Sequence, residues 1–219
     1  LNPLQCHMLI ISIEGNIGAG KSTLWSSLQN VFAADDGVIF VEEPVQEWDR
    51  LGFLNRMYME PQTRPMFQLM VLTSLTCDLL EAVAKRPRVI ITERSPWGNY
   101  HTFAKHVLCA EDLVMYEFTW RKVVQMLPCV KPRFIYLTAP VASLQQRMQT
   151  RGRVAEASVS CEYLRELAEL HDEWLGHEEN VHRVDASVSR AAVLALVLGQ
   201  VHDWMSASLP DEKEHENER

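Results

Sequence analysis

Residues Gly15-Asn16-Ile17-Gly18-Ala19-Gly20-Lys21-Ser22 match G-x-x-x-x-G-K-[ST] at every fixed position. An apolar, β-branched run precedes them (Met8 to Ile13), and a helix-compatible run follows (Thr23 to Val31). Strand, glycine loop, helix is the order that a phosphate-binding loop requires. Glycines let several backbone N–H groups turn toward one anion, and the following helix adds its positive dipole end. Lys21 is placed to reach β- and γ-phosphates, and the Ser22 hydroxyl to ligate Mg²⁺. The expected triphosphate site is therefore Gly15, Asn16, Ile17, Gly18, Ala19, Gly20, Lys21, Ser22 and Thr23. The loop predicts a nucleoside triphosphate. It does not say where the phosphate goes.

Four further β-rich runs follow, at Val38–Val41, Val89–Thr92, Phe134–Leu137 and Val181–Val184. Long helix-compatible segments separate them. Strands alternating with helices predict an α/β fold, with a doubly wound, five-stranded parallel sheet flanked by helices. Nearly all-apolar runs suit strands covered on both faces. Right-handed crossovers then bring the loops after the first three strands to one sheet edge, where ligands bind. Pro61 and Pro65 frame the start of a long helix, about Gln62 to Lys85, and Pro87 ends it. Glu162 to Trp174 reads as an amphipathic helix with Leu164, Leu167, His171 and Trp174 on one face. Residues 1–209 read as a single domain. Residues 210–219 hold five acidic side chains and read as a disordered acidic tail.

Composition narrows the partners. Apolar residues make up 47% of the 219, enough for a packed core. A net charge of −8 gives no diffuse attraction to nucleic acid or an anionic membrane, so a nucleotide must be held by a local cluster of arginines. No late apolar run approaches a membrane span. The five cysteines are scattered without a C-x-x-C pair, which predicts no zinc site. The odd cysteine count and the lack of a visible signal peptide point to an intracellular protein, with the cytoplasm favoured. The chain begins at Leu1, so a mitochondrial or viral origin stays open.

Four stretches carry groups suited to chemistry. Glu42 and Glu43 follow the second strand, and Pro44 forces an extended turn there. One of these carboxylates could accept a proton from an attacking hydroxyl; both could equally be solvated. Trp48, taken alone, reads as core. After the third strand, Glu93 is a candidate for Mg²⁺, and Arg94 could hold a transferring phosphoryl group or orient the carboxylates. On the long helix Gln68, Val71 and Leu75 share one face. A glutamine amide matches the edge of a base, although a helix-surface glutamine beside core residues fits the same pattern. Asn99 and Phe103 form a similar pair on the next helix. Arg147, Arg151 and Arg153 fall within seven residues around Gly152, the composition of a lid that closes cations over ATP.

As a set, these motifs are specific. GNIGAGKS, EEPVQEW, MYMEP followed by FQ, ERS, and RGRVAE leading into YLRELAELHDEWL run from about Leu9 to Trp174. On them the chain resembles the deoxynucleoside kinase family. That family takes in deoxycytidine and deoxyguanosine kinases, mitochondrial thymidine kinase, the insect broad-specificity enzyme and related viral thymidine kinases. The resemblance implies a P-loop kinase fold with an arginine-rich lid. It implies transfer of the ATP γ-phosphate to the 5′-hydroxyl of a deoxynucleoside, with Mg²⁺, in a homodimer.

It also implies roles. Glu43 matches the base that takes the 5′-hydroxyl proton, and Arg94 the arginine near the 5′-oxygen. Lys21, Arg147, Arg151 and Arg153 match phosphate ligands, and Ser22 and Glu93 the Mg²⁺ ligands. Tyr58 and Glu156 match the pair on the sugar 3′-hydroxyl. Gln68 matches the glutamine that reads the base, Phe103 the ring that stacks on it, and Trp48 a wall of the substrate site. Asn99 stands where deoxycytidine kinase has an aspartate and thymidine-using members an alanine. Leu75 stands where they have an arginine and a methionine respectively, which favours a roomier, less polar slot. Thymidine and deoxycytidine are the expected acceptors. Two rival readings are a nucleoside monophosphate kinase such as thymidylate kinase, and a nucleotide-dependent switch. The first needs extra cations at the acceptor's phosphate. The second lacks an N-K-x-D guanine motif here.

Overall fold

The computed structural model describes residues 8–128 and 132–208. The acidic tail, Cys6 and Cys129 lie outside the described residues. Five strands form one all-parallel sheet: β1 (Leu9–Gly15), β2 (Val38–Val41), β3 (Val89–Glu93), β4 (Arg133–Thr138) and β5 (Val181–Asp185), in the order β2-β3-β1-β4-β5. The chain thus winds out from central β1 to β2, back to β3, then across to β4 and β5. That reversal leaves a crevice beyond the carboxyl ends of the central strands.

The two faces of the sheet follow the period-2 alternation of the strands. Ile11 and Ile13 of β1, Val89 and Ile91 of β3, and Ile135 and Leu137 of β4 pack with α1 (Lys21–Val31), α8 (Val141–Arg151) and α10 (Arg190–Ala207). Ile10 and Ile90 face the other way, onto Leu79 and Ala82 of α4 (Arg64–Ala84). Phe134 and Tyr136 share that side and meet Trp174 of α9 (Cys161–Leu175). The interior strands β1 and β3 are buried throughout. Edge strand β5 is largely open, which explains how it tolerates His182 and Arg183.

Between β2 and α4 come two short helices, α2 (Val45–Arg50) and α3 (Phe53–Met59), then a 3₁₀ turn at Pro61–Thr63. The predicted long helix therefore starts at Arg64, with Pro65 in its first turn, where a missing N–H costs nothing. After β3 a helical stretch opens as α5 (Pro96–Gly98), widens into a π-helical segment at Asn99–Ala104, and closes as α6 (Lys105–Val107). α7 (Ala110–Val124) packs beside α4. The amphipathic helix expected at Glu162–Trp174 is α9, capped by Ser160, whose hydroxyl accepts from the Tyr163 N–H.

Candidate active site

The glycine loop leads directly into α1, as its sequence requires. Gly18 has φ +77°, and a Cβ there would sit 2.8 Å from the Leu144 carbonyl oxygen, so only glycine fits against α8. Asn16 fastens the loop to α9: its amide donates to the Leu164 carbonyl at 2.6 Å, and its oxygen accepts from the Ile17 N–H at 2.8 Å. The buried Lys21 ammonium donates to the carbonyls of Gly15 (3.1 Å) and Asn16 (3.0 Å). Burial, and then the nearby Arg94 charge, lower its pKa to about 8. Ser22 donates to Glu93 at 2.6 Å. Burial and then Glu43 raise the Glu93 pKa, against the opposing pull of Lys21, Ser22 and Arg94.

Arg94 takes φ +65°, a left-handed backbone that costs a non-glycine residue about 1–3 kcal/mol. Two bonds hold it there: its N–H donates to the Ile13 carbonyl at 3.1 Å, and Thr92 donates to its carbonyl at 2.7 Å. The turn aims the guanidinium into the crevice. Nε donates to Glu43 at 2.9 Å, and the ring of Phe103 lies 4.3 Å below Cζ. Burial opposes the Arg94 charge, but Glu43, Glu14 and Glu93 outweigh it and hold the group protonated. Glu43 reaches this point because it lies in the short turn between the end of β2 at Val41 and Pro44, which caps α2. Of the two carboxylates left open by sequence, it is Glu43 that pairs with Arg94.

A cavity of about 700 Å³ joins these groups, within the range of small-ligand sites. Trp48, Tyr58, Gln68, Val71, Asn99, Phe103 and Glu156 line its far end. Gln68 is 1% exposed, and its Oε1 has no partner among the described residues. A buried, unpaired amide oxygen costs about 1–3 kcal/mol unless something fills the cavity and bonds to it. Trp48 sets its indole edge-on to Phe67. Asn99 donates its amide N–H to the Tyr116 hydroxyl at 2.8 Å, so α7 fixes its orientation.

The three expected arginines line the same cavity. Arg147 donates to the Ala186 carbonyl at 2.6 Å. Arg151 ends α8, Gly152 turns the chain at φ +68°, and Arg153 follows. Both Arg151 and Arg153 donate to Glu156, which is nearly buried.

Three of the residues picked from sequence do not reach the cavity wall: Gly15, Asn16 and Leu75. The first two support the loop from beneath. Leu75 packs with Trp48, Leu54 and Val71, so the argument for a roomy slot passes to Val71. Sequence reasoning also passed over two charged groups. Arg190, at the start of α10, lines the phosphate end. Glu14, one residue before the loop, is fully buried beside Arg94. Its signal was an acid inside an otherwise apolar strand.

Comparison with known proteins agrees with the geometry. A family model described as deoxynucleoside kinase matches residues 11–205. The thymidine kinase of Ictalurid herpesvirus 1 (strain Auburn) is 34% identical over 196 residues, covering 87% of this chain and 84% of that protein. Deoxycytidine kinase 1 of Xenopus laevis is 29% identical over 207 residues, covering 79% and 76%. Among solved structures, deoxyadenosine kinase from M. mycoides with dCTP bound superposes with a TM-score of 0.74 at 22% identity, covering 89% of this chain and all (100%) of that one. With the phosphate loop, the paired Glu43 and Arg94 and the family match in place, the chain belongs to the deoxynucleoside kinase family, ATP-dependent phosphotransferases that act on the 5′-hydroxyl of deoxynucleosides.

Proposed function

We propose that this kinase phosphorylates pyrimidine deoxynucleosides, thymidine and deoxycytidine, with Glu43 as the base at the 5′-hydroxyl. One observation carries the reading. Lys21 and Glu43 line one cavity, where Arg94 pairs with Glu43, and the same cavity reaches Gln68, whose Oε1 has no partner among the described residues. An alcohol held between Glu43 and the loop would meet the terminal phosphorus of ATP. A base at the far end would find the amide it needs.

The transition state is loose, so catalysis rests on alignment and on cations around spreading charge. Lys21, Arg94, Arg147, Arg151 and Arg153 supply those cations, with the loop N–H groups of residues 15–23 on the phosphates. Closure of the arginine-bearing segment over ATP would exchange the Glu156 contacts for phosphate contacts. Glu156 would then be free, beside Tyr58, for the sugar 3′-hydroxyl. Phe103 has Arg94 on one face and offers the other to a base. Ser22 and Glu93 suit Mg²⁺: a hydroxyl and a carboxylate 2.6 Å apart, with phosphate oxygens and water to complete the shell. When bound, the ion neutralises charge on the β- and γ-phosphates.

Pyrimidine use is supported by the names of the relatives, thymidine kinase and deoxycytidine kinase. The amide of Asn99 suits either, since it carries both a donor and an acceptor. We place the enzyme inside the cell, as one domain over residues 1–209, and as a homodimer. The direct test is phosphate transfer from labelled ATP to four deoxynucleosides and their monophosphates. Thymidine and deoxycytidine should be the best acceptors. Preference for dTMP over thymidine would overturn the reading in favour of a monophosphate kinase.

A further inference from the structure

Glu14 belongs to no part of the reaction described so far. It sits on β1 with no exposed surface, at 0%, one residue before the phosphate loop. Alternation puts it on the same face as Ser12. Both Ser12 (2.7 Å) and Ser95 (2.5 Å) donate to its Oε1. The other oxygen, Oε2, has no hydrogen-bond partner among the described residues, and neither has Nη1 of Arg94. These two orphans face each other at 3.9 Å. Burial raises the Glu14 pKa, while the Arg94 charge and the two hydroxyl donors pull it back down, so the charged form of this acid depends on Arg94 opposite it.

Room for that carboxylate has been made on purpose by the neighbouring backbone. A Cβ on Gly98 would fall 2.6 Å from the Glu14 Cδ, well inside contact distance. Ser95 does double duty. Its Oγ accepts from the Gly98 N–H at 3.1 Å while donating to Glu14, so the turn that carries Arg94 and the first turn of α5 are both tied to the acid. Arg94 meanwhile donates from Nε to Glu43 at 2.9 Å and, over a longer distance, from Nη2 to the Gly15 carbonyl at 3.5 Å. Nη1 has neither contact, so that corner of the guanidinium is the one left to shift. A carboxylate opposite Nη1 holds it.

We propose that Glu14 is a positioning residue for phosphoryl transfer, anchoring the Nη1 edge of Arg94 so that Nε stays on Glu43 and the guanidinium keeps its aim at the reacting oxygens. This rests on the reading that Arg94 acts at the reacting centre. The cost of a loose Arg94 is paid in turnover, because misplacement by about 1 Å can lower a rate about a hundredfold. Glu14 is buried away from the cavity wall, so binding should barely change.

The test is steady-state kinetics on the full chain carrying Glu14→Gln, Arg94→Lys and both together, with thermal melting of each. For Glu14→Gln, kcat should fall by about tenfold or more while both KM values stay within about threefold. In the Arg94→Lys background the same change should add less than about twofold, because the group it positions is already altered. Wild-type kcat in Glu14→Gln, or losses that simply multiply in the double variant, would overturn the inference. An unimpaired Arg94→Lys enzyme would instead remove the reading of Arg94, and this inference with it. Should Glu14→Gln fail to fold, Ser95→Ala decides, since it loosens the acid but leaves its charge. Reduced kcat with an unchanged melting temperature supports the inference, and unchanged kcat overturns it.

Discussion

Glu43 and Gln68 are the two side chains whose loss should separate chemistry from recognition. Glu43 accepts a hydrogen bond from Arg94 in the cleft, and Gln68 holds an unpaired oxygen at its far end. Glu43→Gln removes the proton acceptor without changing shape. Its kcat should drop by about 10²–10⁴-fold, the usual worth of a positioned base. Near-normal turnover in a rapid-quench assay would rule Glu43 out. Gln68→Ala should instead raise the nucleoside KM and lower kcat/KM by about 10–100-fold, with ATP KM unchanged, as expected when paired hydrogen bonds to a base are lost. An enzyme indifferent to the change would end the base-reading role. The same scale shows what was legible beforehand. Lys21 was visible through the glycine-loop motif, and Glu43 and Arg94 because charged residues at strand ends are conspicuous. Leu75 was misleading because i, i+3, i+7 spacing defines a stripe along a helix, while a cavity touches only part of that stripe. Glu14 was passed over because an acid within an apolar strand looks like an interruption until its partners, eighty residues away in sequence, are seen.

The helices hold a second kind of information, most clearly in α9. His171 is fully buried, stacked on Tyr136, with Nδ1 at 2.6 Å from the Leu167 carbonyl. A carbonyl only accepts, so Nδ1 carries a proton. Burial, then the Arg94 charge, lower its pKa to about 3, and His101, stacked on Trp174, is lowered by burial and Lys105 to about 4. Both lie below the ordinary 6.5, so the unfolded chain takes up these protons first. Stability is full above about pH 6.5 and is lost as pH falls toward the folded values. By pH 5 His171 alone should cost about 2 kcal/mol, from about 1.4 kcal/mol per unit. Urea melts at pH 7 and pH 5 check this: His171→Gln, which cannot protonate, should lose roughly half of the acid sensitivity. An equal slope in both proteins would sink it. At this scale the pattern of five strands and the two long helices was readable from periodicity. The π-helical segment at Asn99–Ala104 was not. Its widened turn depends on contacts from elsewhere, such as the Asn99–Tyr116 bond, and no local pattern announces those.

On the surface of the whole molecule, α7 turns Val114, Met115 and Phe118 outward at 68%, 71% and 67% exposure. Spacing i, i+1, i+4 places the three on one face. Met66, at the start of α4, is 73% exposed, and α4 packs beside α7. Grouped large apolar side chains on a helix mark an interaction surface, and the proposed second copy of this chain is the occupant to test. Light scattering should give about twice the 25.1 kDa chain mass for the wild type and a single chain for Phe118→Asp. A monomeric wild type at ten-micromolar concentration, roughly where a stable homodimer should persist, would refute the dimer. The consequence for activity follows from what lies beneath that face. Tyr116, two residues from Phe118 and buried, holds Asn99 on the cavity wall, and α4 carries Gln68 onto the same wall, where we propose that the base lies. A partner pressed on α7 would therefore brace the base slot from behind, far from the phosphates. The monomeric variant should keep its KM for ATP and show a raised KM for the nucleoside. If dissociation left both constants alone, the surface would serve assembly only.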